Sequence, residues 1–361
     1  MDRWTKEQAW EWYLKQPWLR GCNFMSSDCC NRVDQWQEYG FEERMKTTER
    51  ELELAASIGF NSIRLILQFE VWDQEHDGFL KRFDRYLELA DRYGISSMIC
   101  FGNDCTVPKK YYTPPKLGPQ QVDIGYHGGR KDSPHGGLSG GPGYSILDEP
   151  ELAEKFYGMV HEIISRYARD SRVVVWDLFN EPGNGRRGSL SLPYMERFFE
   201  IARGIGPMQP LTTGVHNTYA LCRGELSEIE TRALELSDVV SFHCYGSYDH
   251  MVRTIDILKK TYGRPMLCTE WLNRITHNDV QTIYPLFYLE RIGCYNWGLV
   301  AGKYQTYEPW NGLWESYERG EARDIDFTKW QHDLFRPSLR PYDPKEIELI
   351  EQYNRYADEE K

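Results

Sequence analysis

The sequence predicts an α/β fold, a (β/α)8 TIM barrel with long loops after strands three and eight. Short apolar runs alternate with amphipathic stretches of helical periodicity along the 361 residues, a pattern typical of parallel strands joined by helices. Eight such runs are present, and eight favour a closed barrel over an open sheet. The predicted strands span 21–25, 61–67, 95–101, 172–180, 211–215, 239–244, 266–269 and 294–298.

Predicted helices occupy most of the segments between these strands. They span 42–57, 79–93, 150–168, 194–205, 226–236, 250–262 and 280–292. Gly59 and Gly94 follow the first two, at the position where glycine commonly ends a helix. A last helix is predicted after Asp343, because Asp343-Pro344-Lys345-Glu346 offers an N-cap acceptor and a proline in the first turn. All residues, 1–361, are assigned to one domain.

Two segments interrupt the regular spacing of strands and helices. Segment 102–148 follows strand three and is too rich in Gly and Pro for a core element. We expect it to form a wall or lid at the carboxyl end of the barrel, with an ordinary surface loop as the alternative. Its aromatic and histidine residues are Tyr111, Tyr112, Tyr126, His127, His135 and Tyr144. Segment 299–340, after strand eight, is rich in aromatic residues and is interpreted as a second wall.

The charge balance argues against two classes of partner. Lys and Arg number 43, Asp and Glu number 55, and the net charge of −12 is unlike the basic patches that bind nucleic acid or anionic membranes. The chain begins with polar residues and has no long apolar run, so we expect neither a signal peptide nor a membrane span. The nine cysteines follow no disulfide spacing. A cytoplasmic protein is predicted, with a secreted protein whose signal has been removed as the alternative; the oligomeric state is left open.

Two glutamates lie where apolar strands end. Strand four ends in Asn180-Glu181-Pro182, and strand seven ends in Thr269-Glu270. The carboxyl ends of barrel strands face one pocket, and a pair of carboxyl groups is the minimum needed to break a glycosidic bond. One group protonates the leaving oxygen and the other meets the carbon of the oxocarbenium-like transition state. Glu181 and Glu270 are therefore the predicted catalytic residues.

Together these motifs resemble the retaining glycoside hydrolases of clan A, of the family 5 type that includes cellulases and mannanases. In the order of its strands and helices, the resemblance covers nearly the whole chain. It implies that Glu181 is the acid/base and Glu270 the nucleophile, and that Asn180 hydrogen-bonds the sugar 2-hydroxyl. For these roles we expect a raised pKa for Glu181 and a lowered pKa for Glu270.

Four further residues match the family's pattern at strand ends. Arg64 ends strand two, where the family has an arginine near the nucleophile, and a cation there would keep Glu270 ionised. His243 and Tyr245 end strand six and resemble the family's His-x-Tyr, in which the histidine lines the sugar site and the tyrosine hydrogen-bonds the nucleophile. Trp297 ends strand eight and resembles the platform under the reacting sugar.

One departure from the family's pattern follows strand three. The family usually has a histidine there, whereas this chain has Asn103 and Asp104. Either could take over the hydrogen bonding to substrate, so the departure affects the expected sugar preference more than the reaction.

The predicted function is a retaining glycoside hydrolase that cleaves β-linked oligosaccharides or small glycosides of gluco, manno or xylo type. No metal or organic cofactor is expected. A non-catalytic carbohydrate-binding barrel is the alternative; it would keep the aromatic walls and lose a carboxylate. A metal-dependent barrel hydrolase would need His-x-His on strand one, where the chain has Cys22-Asn23-Phe24-Met25.

Overall fold

A computed structural model of the protein describes residues 2–105, 116–125, 127–130, 146–185, 187–321 and 324–360. Much of the predicted wall 102–148 falls outside these ranges. The same is true of five of its residues, Tyr111, Tyr112, Tyr126, His135 and Tyr144.

Eight parallel strands form the predicted barrel. They are β1 (Arg20–Asn23), β2 (Ser62–Ile66), β3 (Ser96–Asn103), β4 (Val173–Asn180), β5 (Leu211–Gly214), β6 (Val240–His243), β7 (Met266–Trp271) and β8 (Gly293–Trp297). Their hydrogen-bonded order is β5-β4-β3-β2-β1-β8-β7-β6. A parallel bridge between Val215 and Phe242 joins β5 to β6, so the barrel fold predicted from the sequence is confirmed.

Helices pack around the strands. They are α1 (Lys6–Lys15), α2 (Arg32–Trp36), α3 (Phe41–Ser57), α4 (Phe69–Gln74), α5 (His76–Arg92), α6 (Ala153–Tyr167), α7 (Leu192–Ile205), α8 (Thr218–Arg223), α9 (Glu228–Leu236), α10 (Tyr248–Tyr262), α11 (Val280–Leu289), α12 (Asn311–Glu318) and α13 (Pro344–Glu359). The side chain of Asp343 accepts a hydrogen bond from the Lys345 amide, as the sequence predicted. None of the helices in the described ranges is long and apolar enough to cross a membrane.

The first helix closes the amino-terminal end of the barrel. Tyr13 of α1 joins a buried cluster with Leu19, Val174 and Val239, which stand at or next to the amino-terminal ends of β1, β4 and β6. The hydroxyl of Tyr13 also donates to the carbonyl of Arg291 at 2.7 Å. With this end covered, the opposite end, where the strands terminate, is left for a site.

Candidate active site

The two predicted catalytic glutamates converge at the carboxyl end of the barrel. Glu181 directly follows β4, Glu270 lies in β7, and their exposed fractions are 7 % and 5 %. One carboxylate oxygen of each and a ring nitrogen of His243 all lie within 4.8 Å of one another. The structure therefore brings together two carboxyl groups from strands on different sides of the barrel.

Both carboxylate oxygens of Glu270 accept hydrogen bonds. Arg64 donates from Nη1 to Oε1 at 2.9 Å, and the Tyr245 hydroxyl donates to Oε2 at 2.8 Å. These two donors fix the position of the carboxylate, and Arg64 also favours its charged form.

Arg64 is itself held by a buried polar network. Its Nε and Nη2 donate to the same oxygen of Asp177, at 2.9 Å and 2.7 Å. Asn23 accepts from Nη1 at 2.8 Å, and Asn180 accepts from Nη2 at 2.6 Å. Nη2 also donates to Sγ of Cys100 at 3.7 Å. Because the guanidinium is buried and shared among five side chains, it is rigid, and so is the oxygen of Glu270 that it holds.

Glu181 has an unusual backbone conformation. Its φ is 49°, in the left-handed region that non-glycine residues rarely adopt, and such strain is concentrated at functional sites. The Glu181 amide donates to the carbonyl of Gly214 at 3.0 Å, which fixes this turn. On the side chain, Oε1 lies 2.7 Å from Nδ1 of His243, and Oε2 accepts a hydrogen bond from the side-chain amide of Asn184.

The ring of His243 packs directly on the backbone of β5. A Cβ added to Gly214 would lie 2.6 Å from Nε2 of His243, so glycine is required for the ring to reach Glu181. His243 is buried, and among the described residues nothing hydrogen-bonds its Nε2. The ring therefore faces the carboxylates through Nδ1 alone.

The pKa order of the two carboxyl groups is the reverse of the order expected from the sequence. Burial raises the pKa of Glu181, but the hydrogen bond and charge of His243, together with the charge of His216 and the hydrogen bond of Asn184, outweigh burial and bring the pKa well below its usual value. Burial also raises the pKa of Glu270, and although His243 and Arg64 oppose it, the pKa stays above its usual value. The reason is position: Nδ1 of His243 lies 2.7 Å from Glu181 and 3.4 Å from Glu270. The expected order is therefore wrong for the resting site.

Asn103 and Asp104 point to different partners. Oδ1 of Asn103 accepts from the side-chain amide of Asn180 at 2.8 Å, so Asn103 positions a predicted sugar-binding residue. Asp104 instead accepts from the Gly183 amide at 2.8 Å and from the Ser191 hydroxyl. Its Oδ2 thus fastens the segment that follows Glu181.

Trp297 lies at the end of β8 and lines a cavity together with Arg64. The ring of His127 meets it edge-on, with the centroids 5.3 Å apart. His127 belongs to segment 102–148, so this described part of the segment reaches the candidate site. Segment 299–340 reaches it as well, because Trp310 packs edge-on against Tyr245 at 4.9 Å.

Several residues of the site were not singled out from the sequence. Each contacts a predicted residue: Asn23 and Asp177 bind Arg64, Asn184 binds Glu181, and His332 packs against Tyr245. Asn23 and Asp177 lie on strands, so their placement on barrel strands was the available signal. The other two follow strands four and eight in irregular segments, where the sequence does not show which way a side chain faces.

Glu181, His243 and Glu270 also have the residue types and proximity of a metal site. Zinc ligands about 2.1 Å from a tetrahedral ion would be about 3.4 Å apart. The 2.7 Å between Nδ1 of His243 and Oε1 of Glu181 is instead a hydrogen-bond distance. In this arrangement His243 and Glu181 form a hydrogen-bonded pair, and Nδ1 of His243 lies 3.4 Å from Oε2 of Glu270.

Comparison with known proteins identifies the family. The model of the cellulase family (glycosyl hydrolase family 5) matches residues 24–301. The chain belongs to glycosyl hydrolase family 5. This confirms the resemblance stated from the strand-end motifs, and with it the prediction of a glycoside hydrolase that acts on β-glycosidic bonds.

Solved structures of similar fold include several family 5 proteins. An exo-β-1,4-mannosidase from an Opitutaceae bacterium is 15% identical, with a TM-score of 0.58 over 95% of this chain and 60% of the other. The chain thus spans 60% of the length of that mannosidase. A β-1,4-mannanase from the sea hare Aplysia kurodai is 13% identical, with a TM-score of 0.52 over 77% of this chain and 87% of the other. GH5_18 from Streptomyces cattleya, in complex with GlcNAc, is 10% identical, with a TM-score of 0.57 over 95% of this chain and 81% of the other. No curated protein matches the sequence significantly.

Proposed function

We propose that this family 5 glycoside hydrolase cleaves β-glycosides by double displacement with retention of configuration. The observation that supports this most directly is that an oxygen of Glu181 and an oxygen of Glu270 lie within 4.8 Å of each other. Retaining enzymes have carboxyl groups about 5–5.5 Å apart, whereas inverting enzymes need about 6.5–9.5 Å to admit a water molecule. The short separation leaves room for direct attack.

The two roles follow from the partners of each carboxylate. Glu270 accepts a hydrogen bond from the permanently charged Arg64, so it is suited to remain an anion and attack the anomeric carbon. The partners of Glu181 are the ring of His243 and the neutral side-chain amide of Asn184, so no permanently charged group holds Glu181 as an anion. Glu181 is therefore the group whose proton affinity can change during the reaction.

In the state that reacts, Glu181 carries the proton and Glu270 is the anion, the reverse of the order in the resting site. The reaction begins when Glu181 protonates the departing oxygen as Glu270 bonds to the sugar. Forming that bond removes the negative charge of Glu270, and loss of a neighbouring like charge lowers the pKa of Glu181. Glu181 then remains an anion until it takes a proton from the incoming water. That water releases the sugar from Glu270, and the configuration at the anomeric carbon is retained.

Substrate contacts are proposed for Asn180, Asn103 and Trp297. The side-chain amide of Asn180 has two N–H groups. One donates a hydrogen bond to Asn103, and the other is available for a sugar hydroxyl. Trp297 would support the ring of the sugar. The substrates are β-linked oligosaccharides or small glycosides, and β-mannosides come first for testing because structures of similar fold include a β-mannosidase and a β-mannanase.

We also propose one catalytic domain in a reducing cytoplasm. All nine cysteines are free, and seven of them are fully buried or nearly so, which supports a compartment where thiols stay reduced. The alternative of a non-catalytic sugar-binding barrel would require the loss of a carboxylate or of its supports. Both carboxylates are present; Glu270 contacts Arg64 and Tyr245, and Glu181 contacts His243, so no observation favours it.

Aryl β-glycosides with good and poor leaving groups test the two roles separately. We expect Glu270→Gln to lose turnover of every aryl glycoside. Glu181→Gln should lose about 100- to 10,000-fold on poor leaving groups and far less on good ones, because only poor leaving groups need a proton. Glu200→Gln, exposed on α7, is the matched control. NMR of the first product should show the β-anomer; an α-anomer, or wild-type turnover by Glu270→Gln, contradicts the proposal.

A further inference from the structure

A buried arginine that has no hydrogen-bond or ion-pair partner among the described residues lies beside the proposed sugar site. Arg32 is the first residue of α2, and its exposed fraction is 9 %. No hydrogen bond or ion pair joins its side chain to any residue in the described part of the chain. By contrast, Arg44, which is equally buried, lies 3.4 Å from the carboxylate of Asp34. Arg32 therefore differs from its neighbour in having no carboxylate of the described residues within ion-pair distance.

Arg32 lines a cavity to which the described residues contribute no carboxylate. The described residues around the cavity are Asn23, Phe24, Met25, Arg32, Gln35, Arg64, Ile66, His127, Trp297, Gly298, Tyr304 and Thr306. The second arginine among them, Arg64, is already bound to Asp177, Asn180, Asn23 and Glu270. A buried charge without a partner is unfavourable, so an uncompensated guanidinium in a cavity points to a ligand that completes it.

The cavity adjoins the reacting groups. Trp297 and Arg64 line it, and Arg64 contacts Glu270 at 2.9 Å. The charge of Arg32 also acts on Cys105: burial, Glu181 and Glu270 raise the pKa of this thiol, and Arg32 opposes them. A single side chain that responds to both catalytic carboxylates and to Arg32 shows that the three charges share one region of the barrel mouth.

The neighbouring histidine does not compete with Arg32 for an anion. Burial and the charge of Arg32 lower the pKa of His127 well below its usual value. His127 is therefore neutral near pH 7, and Arg32 is the cation that remains to attract a negative group.

We propose that Arg32 binds an anionic substituent of the substrate, a carboxylate or a phosphate on the sugar, so that the preferred substrates are acidic β-glycosides. The planar guanidinium suits both groups, because its paired N–H donors match two oxygens of either one. The inference rests on the proposed function, since it names the substrate class of the same site.

Matched substrates differing only in charge test this inference. We would compare p-nitrophenyl β-mannoside and β-glucoside with their uronic acid and 6-phosphate forms. Wild type should favour one acidic form over the neutral parent, and which form it favours distinguishes carboxylate from phosphate. In Arg32→Gln the ratio of acidic to neutral kcat/KM should fall about 10- to 100-fold, the range for a lost hydrogen bond to a charged group, mainly through KM. Arg32→Lys should restore part of the ratio.

A surface arginine provides the control. Arg85→Gln removes the same charge from an exposed ion pair with Glu42, and should leave the ratio unchanged. The melting temperature of Arg32→Gln should equal or exceed that of wild type, because the substitution removes an unpaired buried charge. A lower melting temperature would show a structural role and overturn the inference.

Two outcomes separate this inference from the proposed function. If the kcat/KM of wild type for the neutral glycosides equals or exceeds that for both acidic forms, the substrate inference fails and the proposed function stands. If wild type cleaves none of these glycosides, the proposed function fails for this panel, and binding decides the inference. Glucuronate or mannose 6-phosphate should then raise the melting temperature of wild type but not of Arg32→Gln; equal shifts, or none, overturn it.

Discussion

The hydroxyl of Tyr245 donates a 2.8 Å hydrogen bond to Oε2 of Glu270, the oxygen that Arg64 does not hold. The ring behind that hydroxyl is packed by Trp310 at 4.9 Å and by His332 at 5.4 Å. Tyr245 is therefore oriented by aromatic contacts, and its hydroxyl stabilises the charged carboxylate. The two functions can be separated by removing one oxygen atom.

Tyr245→Phe keeps the ring and removes the hydrogen bond. We expect kcat to fall about 10- to 100-fold, because a hydrogen bond to a charged group is lost, while the melting temperature changes little. Tyr86→Phe, which removes a buried hydroxyl 3.2 Å from Thr48, is the control and should keep full activity. Steady-state kinetics and thermal unfolding measure the two effects; a stable variant with wild-type kcat would exclude a role for the hydroxyl.

Removing the charge of Arg64 should destabilise the fold as well as the site. Arg64→Met leaves Asp177 and Glu270 buried without their shared cation, and breaking a buried pair costs about 3–5 kcal/mol. Arg85→Met breaks an exposed pair with Glu42, worth about 0–1 kcal/mol. Urea unfolding of the two variants measures the difference. Similar midpoints would mean that the network does not stabilise the barrel.

The position of His243 predicts a shift of the pH–activity profile. His243 lowers the pKa of both Glu181 and Glu270, so its removal raises both values. Both limbs of the kcat/KM profile of His243→Asn should therefore move to higher pH. His216 lowers the pKa of Glu181, which is the lower of the two carboxyl pKa values in the resting site, so His216→Asn should move chiefly the acid limb to higher pH, and by less. An unchanged or acid-shifted profile for His243→Asn would contradict the role of the ring.

The sequence predicted the barrel well because its signals are repeated. Each of the eight strands is an apolar run that had to be buried, and the eight together leave little choice of fold. Glu181 and Glu270 were found for a related reason: both follow such runs, and the ends of parallel strands meet at one face.

What the sequence could not predict depends on side-chain direction. Asn103 and Asp104 are adjacent, yet one contacts Asn180 and the other contacts Gly183 and Ser191. The pKa order of the carboxyl groups was missed because it depends on a 0.7 Å difference in two contacts of His243, 2.7 Å against 3.4 Å. Arg32 was missed because it lies on a five-residue helix in a segment assigned no structure.

The different partners of Asn103 and Asp104 predict different defects. Asn103→Ala removes the acceptor of the Asn180 side-chain amide and of the Cys105 backbone amide, and should lower kcat/KM about 10-fold. Its loss of stability should be smaller than that of Asp104→Ala, because Asn103 is half-buried and Asp104 is buried. Asp104→Ala leaves the Gly183 amide and the Ser191 hydroxyl without an acceptor, and should cost about 1–3 kcal/mol of stability. Kinetics and urea unfolding of both variants distinguish them. The reverse pattern, an unstable Asn103→Ala with a stable Asp104→Ala, would contradict these assignments.

Three buried acids outside the site predict that stability falls at alkaline pH. Burial raises the pKa of Glu51 to about 8, and the pKa values of Glu70 and Asp333 to about 7. Because these values lie above those of the unfolded chain, the folded protein holds the protons more tightly. The resulting stability is complete below the unfolded values and is lost as pH rises through about 7 to 8.

Glu51→Gln isolates the most alkaline of these contributions. Glutamine stays neutral at every pH and keeps an acceptor for the amide and hydroxyl of Ser27, so the variant should lose less stability than wild type between pH 7 and pH 9. Glu53 is exposed on the same helix, α3, so the pH dependence of stability in Glu53→Gln should match that of wild type. Unfolding midpoints at pH 5, 7 and 9 measure the slopes. A wild-type unfolding midpoint that stays constant or rises from pH 7 to pH 9 would mean that ionisation of these acids does not destabilise the fold. If the midpoint of Glu51→Gln changes with pH as that of wild type does, Glu51 is not the cause.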